Sequence, residues 1–132
     1  MTDKEVIQEQ LISYKTAKQA SYAGFPKYLS TTGFYRKEDK KIYLDSGDYT
    51  HYPACTQALL QKWLREEYGL FVEAYPEPSY VEGKINWSYT IRKLTMKSMT
   101  DAMFNGTKWI SKNNSYEEAL EKGLMEALHK VK

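Results

Sequence analysis

Apolar residues recur along this chain at two spacings, every third or fourth position in some stretches and every second in others, which predict helices and strands respectively. Near the start, Ile7, Leu11 and Tyr14 have helical spacing, and Thr2 with Glu5 three residues later makes a capping box. Ser13 is also a good cap for a fresh helix running to Ala23, so one long helix and two short ones both fit. On either reading, residues 1–12 are a helical N-terminal extension, and Gly24 and Pro26 end the element. Next come Phe34-Tyr35-Arg36 and Lys41-Ile42-Tyr43-Leu44, two short β-prone runs joined by the polar Lys37-Glu38-Asp39-Lys40, which read as a hairpin. Asp45-Ser46-Gly47-Asp48 closes it.

A second helix is signalled from both ends. Thr56 is its cap, Leu60, Trp63, Leu64 and Tyr68 line one face, Gln57, Gln61, Lys62 and Arg65 lie elsewhere, and Gly69 supplies a left-handed C-terminal residue. The run from Leu70 to Tyr75 predicts a strand that Pro76-Glu77-Pro78 stops, because proline donates nothing to a sheet ladder. From Lys84 to Arg92 the alternation is strict, with Ile85, Trp87, Tyr89 and Ile91 on one side of a half-buried antiparallel strand. Met96, Met99, Met103 and Phe104 then have helical spacing, while Asn105-Gly106 before Thr107-Lys108-Trp109-Ile110 signals a hairpin turn; both readings stay open. The last helix starts at Ser115 with Glu118 as capping partner, and Leu120, Leu124, Ala127, Leu128 and Val131 form its stripe.

Helices with one apolar stripe must bury it on a sheet. The order α-ββ-α-ββ-α therefore predicts an α+β fold: a two-layer sandwich in which three amphipathic helices cover one antiparallel sheet made of two hairpins. The 132 residues suit a single domain, and 42% hydrophobic with 27% charged residues is an ordinary globular balance that excludes disordered and coiled-coil classes. Runs such as Leu70-Phe71-Val72 fall far short of the ~20 apolar residues of a membrane helix, and the polar opening Met1-Thr2-Asp3-Lys4-Glu5 lacks the form of a signal peptide. With Cys55 the single cysteine, a cytoplasmic protein without membrane contact is the expectation.

The blocks Thr56-Gln57-Ala58-Leu59-Leu60-Gln61-Lys62-Trp63-Leu64-Arg65-Glu66 and Ser115-Tyr116-Glu117-Glu118-Ala119-Leu120-Glu121-Lys122-Gly123-Leu124 resemble small phage-associated and mobile-element proteins of gut Bacteroidetes. The resemblance spans residues 13–131 in outline, taking in Gly24-Phe25 and the aromatic strand at Ile85-Asn86-Trp87. It implies a genomic setting and a shared fold, and transfers no activity or site. The extension at residues 2–12 and the methionine-rich stretch before Asn105 depart from the pattern.

Chemistry narrows the function further. His51 and Cys55, four apart, offer two metal ligands where a structural zinc needs four, and His129 is the other soft donor. Cys55 also stands at a helix N-terminus, where backbone N–H groups lower a thiol pKa, so a small cysteine-dependent enzyme using Cys55 and His51 is one hypothesis. Asp45 with Asp48 reads as turn chemistry and Glu66 with Glu67 as a solvated helix face; neither has calcium-loop or glycosidase spacing. No glycine pattern cradles a phosphate. Catalytic, cofactor and metal sites are accordingly all read as none.

Charge is uneven: residues 1–83 carry 10 Lys/Arg against 12 Asp/Glu, residues 84–114 carry 6 against 1, and residues 115–132 carry 3 against 4. The candidate binding surface is therefore Lys84, Arg92, Lys93, Lys97, Lys108, Trp109 and Lys112, interleaved with Trp87, Tyr89 and Phe104. Cations beside stacking aromatics suit single-stranded nucleic acid, although Trp87 and Tyr89 fall on the apolar side of their strand and read first as core. The methionines, and 12 Tyr against 4 Phe, suit adaptable, half-buried contact with a protein partner or a second copy in a homodimer. The leading expectation is a small non-enzymatic accessory protein of a phage or mobile element acting through protein contacts. A nucleic-acid-binding module using residues 84–112 is the alternative.

Overall fold

A computed structural model describes residues 10–30, 32–44, 51–79, 84–93 and 107–131. The capping box at Thr2 lies outside them. Gln10 to Ile12 are extended rather than helical: Leu11 bridges Thr56 in antiparallel fashion, the Ile12 N–H donates to the Cys55 carbonyl at 2.9 Å, and the Gln57 N–H donates to the Gln10 carbonyl at 2.9 Å. This segment buries Ile12 completely, which explains the departure from helical spacing: its backbone bonds are satisfied by residues 55–57, far along the chain at the entry to a later helix. Of the two readings of this region, the fresh helix holds. Ser13 caps α1 (Tyr14–Tyr22) by accepting from the Thr16 N–H, and α1 buries Thr16, Ala17 and Ala20, small side chains that let the helix lie close to its neighbours.

The hairpin that follows is as expected, with β1 (Phe34–Arg36) and β2 (Ile42–Tyr43) paired antiparallel. Its sheet has a further strand. β3 (His51–Pro53) pairs antiparallel with the other edge of β1, matching Phe34 with Pro53 and Arg36 with His51, so the order is β2-β1-β3. Asp45 and Asp48 lie outside the described residues. Helix α2 (Gln57–Tyr68) begins where Thr56 Oγ1 accepts from the Leu59 N–H and stops at Gly69, whose φ of 67° is the left-handed turn that glycine adopts freely. Leu60, Trp63 and Leu64 are buried as the stripe predicts, and so is Gln57, whose side-chain amide donates to the Glu117 carbonyl.

Beyond Gly69 the expected stop at proline is overturned. Strand β4 (Leu70–Ser79) runs through Pro76 and Pro78 and pairs residue for residue with β5 (Lys84–Lys93), from Leu70 opposite Lys93 to Ser79 opposite Lys84. Proline is tolerated because β4 is an edge strand in the order β4-β5-β6, so a nitrogen without hydrogen can face away from the ladder. β6 (Thr107–Asn113) extends the run seen at residues 107–110 and pairs antiparallel with β5; Met96, Met99, Met103 and Phe104 lie outside the described residues. A register shift between Trp87 and Tyr89 breaks the alternation of β5 and brings Ser88 into the interior at 1% exposure.

Helix α3 (Tyr116–Lys130) lies across β4 and β5, after Ser115 accepts from the Glu118 N–H and the Glu118 carboxylate takes the Asn114 N–H at 2.6 Å. Leu120, Leu124 and Leu128 are buried from solvent, each contributing roughly 1.5–3 kcal/mol of transfer free energy. At Gly123 the helix backbone comes so close to the sheet that an added Cβ would stand 2.8 Å from Val72 Cγ1. One apolar cluster runs from Ile12 and Ala17 through Leu60, Leu64 and Val72 to Leu128. The fold is α+β with three helices among the described residues, but its strands form two three-stranded antiparallel sheets rather than one sheet of two hairpins. No helix among the described residues is long and apolar enough to cross a membrane.

Candidate functional site

The described parts of the basic segment, residues 84–93 and 107–112, lie on one sheet, since β5 and β6 are neighbours with Tyr89 opposite Trp109 and Thr90 opposite Lys108. Lys84, Lys108, Trp109 and Lys112 have their backbones in those strands, Lys93 is exposed, and Lys97 lies outside the described residues. Arg92 donates across to the neighbouring strand, Nη2 to Glu73 Oε1 at 3.0 Å, so its charge is locally balanced. The aromatic partners are taken by packing: Tyr89 lies against Gly123 of α3, and Trp87 meets Tyr116 edge-on with ring centroids 5.9 Å apart. Tyr89 is buried and so closed to stacking, while Trp87 is half-buried.

Cys55 fails as a nucleophile for a physical reason. It is wholly buried, and burial pushes its thiol up to about 12, outweighing the lowering by its own backbone N–H and that of Leu60. A folded pKa of about 12 against an ordinary 9.0 makes the thiolate roughly a thousandfold scarcer at pH 8. Native protein is therefore expected to resist iodoacetamide at pH 8 by at least that factor relative to the chain in guanidinium, and equal rates would show an open thiol. Because the folded pKa is raised, this group's contribution to stability is complete below pH 9 and declines as pH climbs toward 12. His51 sits on β3 opposite Arg36, edge-on to Tyr43. Among the described residues no three His, Cys, Asp or Glu side chains are grouped to hold a metal ion, and Glu66 and Glu67 are exposed on α2.

A different basic and aromatic surface is assembled from α1 and the β2-β1-β3 sheet. Tyr14 meets Tyr52 with centroids 5.6 Å apart and Tyr35 at 5.8 Å, and Tyr52 meets Tyr22 at 6.4 Å, all edge to face. Lysines sit over three of these rings: Lys40 over Tyr14 at 5.2 Å, Lys37 over Tyr52 at 5.0 Å, and Lys18 over Tyr22, one helical turn on, at 6.0 Å. Lys40 has a φ of 59°, a left-handed conformation that costs a lysine free energy, and the turn that imposes it is closed by the Lys40 N–H on the Arg36 carbonyl. Tyr52 is buried at the centre, and that burial, with its hydrogen bond to Tyr22, pushes its phenol up to about 12. Tyr22 is 61% exposed.

The acids of this region are already engaged. Asp39 accepts from the Lys41 N–H, the Tyr43 hydroxyl and Arg36, which together hold its carboxyl at about 2, and Glu38 lies 3.8 Å from Arg36. Among the described residues, Lys18, Lys37 and Lys40 have no carboxylate in an ion pair. Residues 14–43 hold seven Lys/Arg against two Asp/Glu, a net +5 equal to that of residues 84–114. Sequence reasoning missed it because its flanks are acidic and a single window over 1–83 sums to −2. A narrower window, with Lys18 and Tyr22 at i and i+4, carries the signal.

Beside this face is an open cleft of about 810 Å³ whose lining includes Ser13, Tyr35, Ser115, Glu117 and Glu121. The Glu121 carboxylate accepts from the Ser13 N–H, the Thr16 hydroxyl and Gln57 Nε2, binding the starts of α1 and α2 to α3. Gln57 Nε2 also donates to the Glu117 carbonyl, and the Tyr35 hydroxyl donates to the Ile12 carbonyl at 2.6 Å. These are the bonds of a structural junction. Comparison of the chain with protein-family models, curated proteins and solved structures gives no match in any of the three.

Proposed function

We propose that this protein is a small non-enzymatic binding module that holds an acidic partner on its tyrosine and lysine face. The observation that carries the reading is the set of Lys18, Lys37 and Lys40, each seated on a tyrosine ring and none balanced by a carboxylate among the described residues. All three lysines are exposed, and a cation–ring contact at an exposed site is worth only about 0.5–1 kcal/mol, so these ammonium groups turn readily toward a bound anion. The burial of Cys55 speaks against the cysteine-dependent alternative. The accessory role in a mobile element rests on the resemblance of the two helical blocks, at residues 56–66 and 115–124, to phage-associated proteins.

The test is salt elution from a heparin column. Native protein should be retained, the triple variant Lys18→Glu, Lys37→Glu, Lys40→Glu should flow through, and the same charge change at the exposed Lys62, Lys122 and Lys130 should leave most retention intact. Circular dichroism checks that each variant is folded. Equal elution of the two triple variants would sink the assignment of the face.

A further inference from the structure

Resting on the reading of this face as an anion-binding surface, we propose that its ligand is single-stranded nucleic acid, gripped through its phosphates by Lys18, Lys37 and Lys40 with a base stacked on Tyr22. Cations alone would serve any polyanion. The distinguishing feature is that the three cations surround a ring cluster whose open member, Tyr22, offers a π-surface beside Lys18, so anion and base can be held side by side, as they alternate along a nucleic acid strand. The rings run Tyr14, Tyr52, Tyr22 in steps of 5.6 and 6.4 Å, with lysines at both ends and over the middle ring. An acidic polypeptide offers the charges without regularly spaced aromatic faces. A duplex offers the phosphates but keeps its bases stacked inside, leaving Tyr22 nothing to cover.

Tyr22 is the ring available for this. At 61% exposure it is the open member of the cluster, whereas Tyr52 is buried, and Lys18 at 6.0 Å is loosely enough placed to yield the ring face to a base. Tyr22 stands near the end of α1, anchored by its edge-to-face contact with Tyr52, so a bound base would meet a ring already oriented.

Fluorescence anisotropy on the full chain tests this, using a labelled oligothymidine of about 15 nucleotides, a mixed-sequence strand and its duplex, at two salt concentrations. The single strands should bind at least tenfold more tightly than the duplex, and Tyr22→Ala should weaken them by roughly 5- to 150-fold, the range for losing one stacked base. Tyr22→Phe should restore most of that loss. The triple Lys→Glu variant should lose both strands and duplex. If duplex binds as tightly as single strand, or Tyr22→Ala has no effect, the single-strand assignment is overturned while the anion-binding face stands. If no oligonucleotide binds but heparin retention still depends on the three lysines, the partner is an acidic protein. If heparin retention does not depend on them either, both readings fall together.

Discussion

Replacing Glu121 with alanine is expected to lower the free energy of unfolding by about 2–4 kcal/mol, a drop of about 10 °C in melting temperature for a domain of this size. Alanine is a better helix former than glutamate, so the loss cannot come from α3 itself. It comes from the junction: Oε2 accepts from the Ser13 N–H and the Thr16 hydroxyl, and Oε1 accepts from Gln57 Nε2 at 2.9 Å. Thr16 and Gln57 are 1% and 4% exposed, so water replaces the missing carboxylate poorly there, although the open cleft lets it reach the Ser13 N–H. Each hydrogen bond to a charged acceptor contributes about 1.5–3 kcal/mol, and partial rehydration brings the total below their sum. Glu121→Gln keeps one acceptor oxygen and should fall between the two. Urea denaturation reads all three proteins, and an alanine variant as stable as the parent would mean that the carboxylate does not tie the helices together.

The second large effect is expected at Gly123. In an ordinary helix interior, glycine to alanine gains about 1 kcal/mol. Here an added Cβ would meet Val72 Cγ1 at 2.8 Å and the Tyr89 ring at 3.0 and 3.1 Å, and both neighbours are themselves buried in the core. Overpacking costs about 1–3 kcal/mol, so Gly123→Ala should come out destabilising by about 1 kcal/mol, with the sign opposite to propensity. Gly123→Val drives further methyl groups into the same contact and should cost about 3 kcal/mol, seen as a lower denaturation midpoint with little change in slope. A stabilised Gly123→Ala protein would show that α3 and the sheet can separate at little cost.

The elements legible in the sequence were those whose signals are local. For α2 and α3, cap and stripe agree, with Gly69 marking the end of α2, and the helices begin after Thr56 and Ser115 as read. Ser13 was one of two open choices for α1, decided by backbone bonds from Gln10 and Ile12 to residues far along the chain. β3 is three residues ending in proline, and pairing with β1 makes it a strand. Likewise, Pro76 and Pro78 stop a strand only if a partner is needed on both sides, and being at an edge is a property of the assembled sheet. The division into two sheets is equally non-local. The tyrosine and lysine face escaped notice because it draws on α1, the turn after β1 and Tyr52 of β3, which are apart in sequence, and because the acidic stretches on either side of residues 14–43 cancel its charge in a wider window. The segment at residues 84–112 was conspicuous because its charges are contiguous, yet Arg92, Trp87 and Tyr89 are already engaged within the fold.

The prolines of β4 also bear on how these molecules behave at high concentration. An open sheet edge is a template on which another chain can add strand upon strand, the first step toward a fibril. Pro76 and Pro78 lie two residues apart, so the donors they lack fall on the same outward side of β4. A strand approaching that half of the edge finds carbonyls to donate to and no N–H in return at those two positions. The residues that interrupt the pattern of the strand thus terminate the sheet there, and restoring the donors with Pro76→Thr and Pro78→Thr would open a longer edge to self-association.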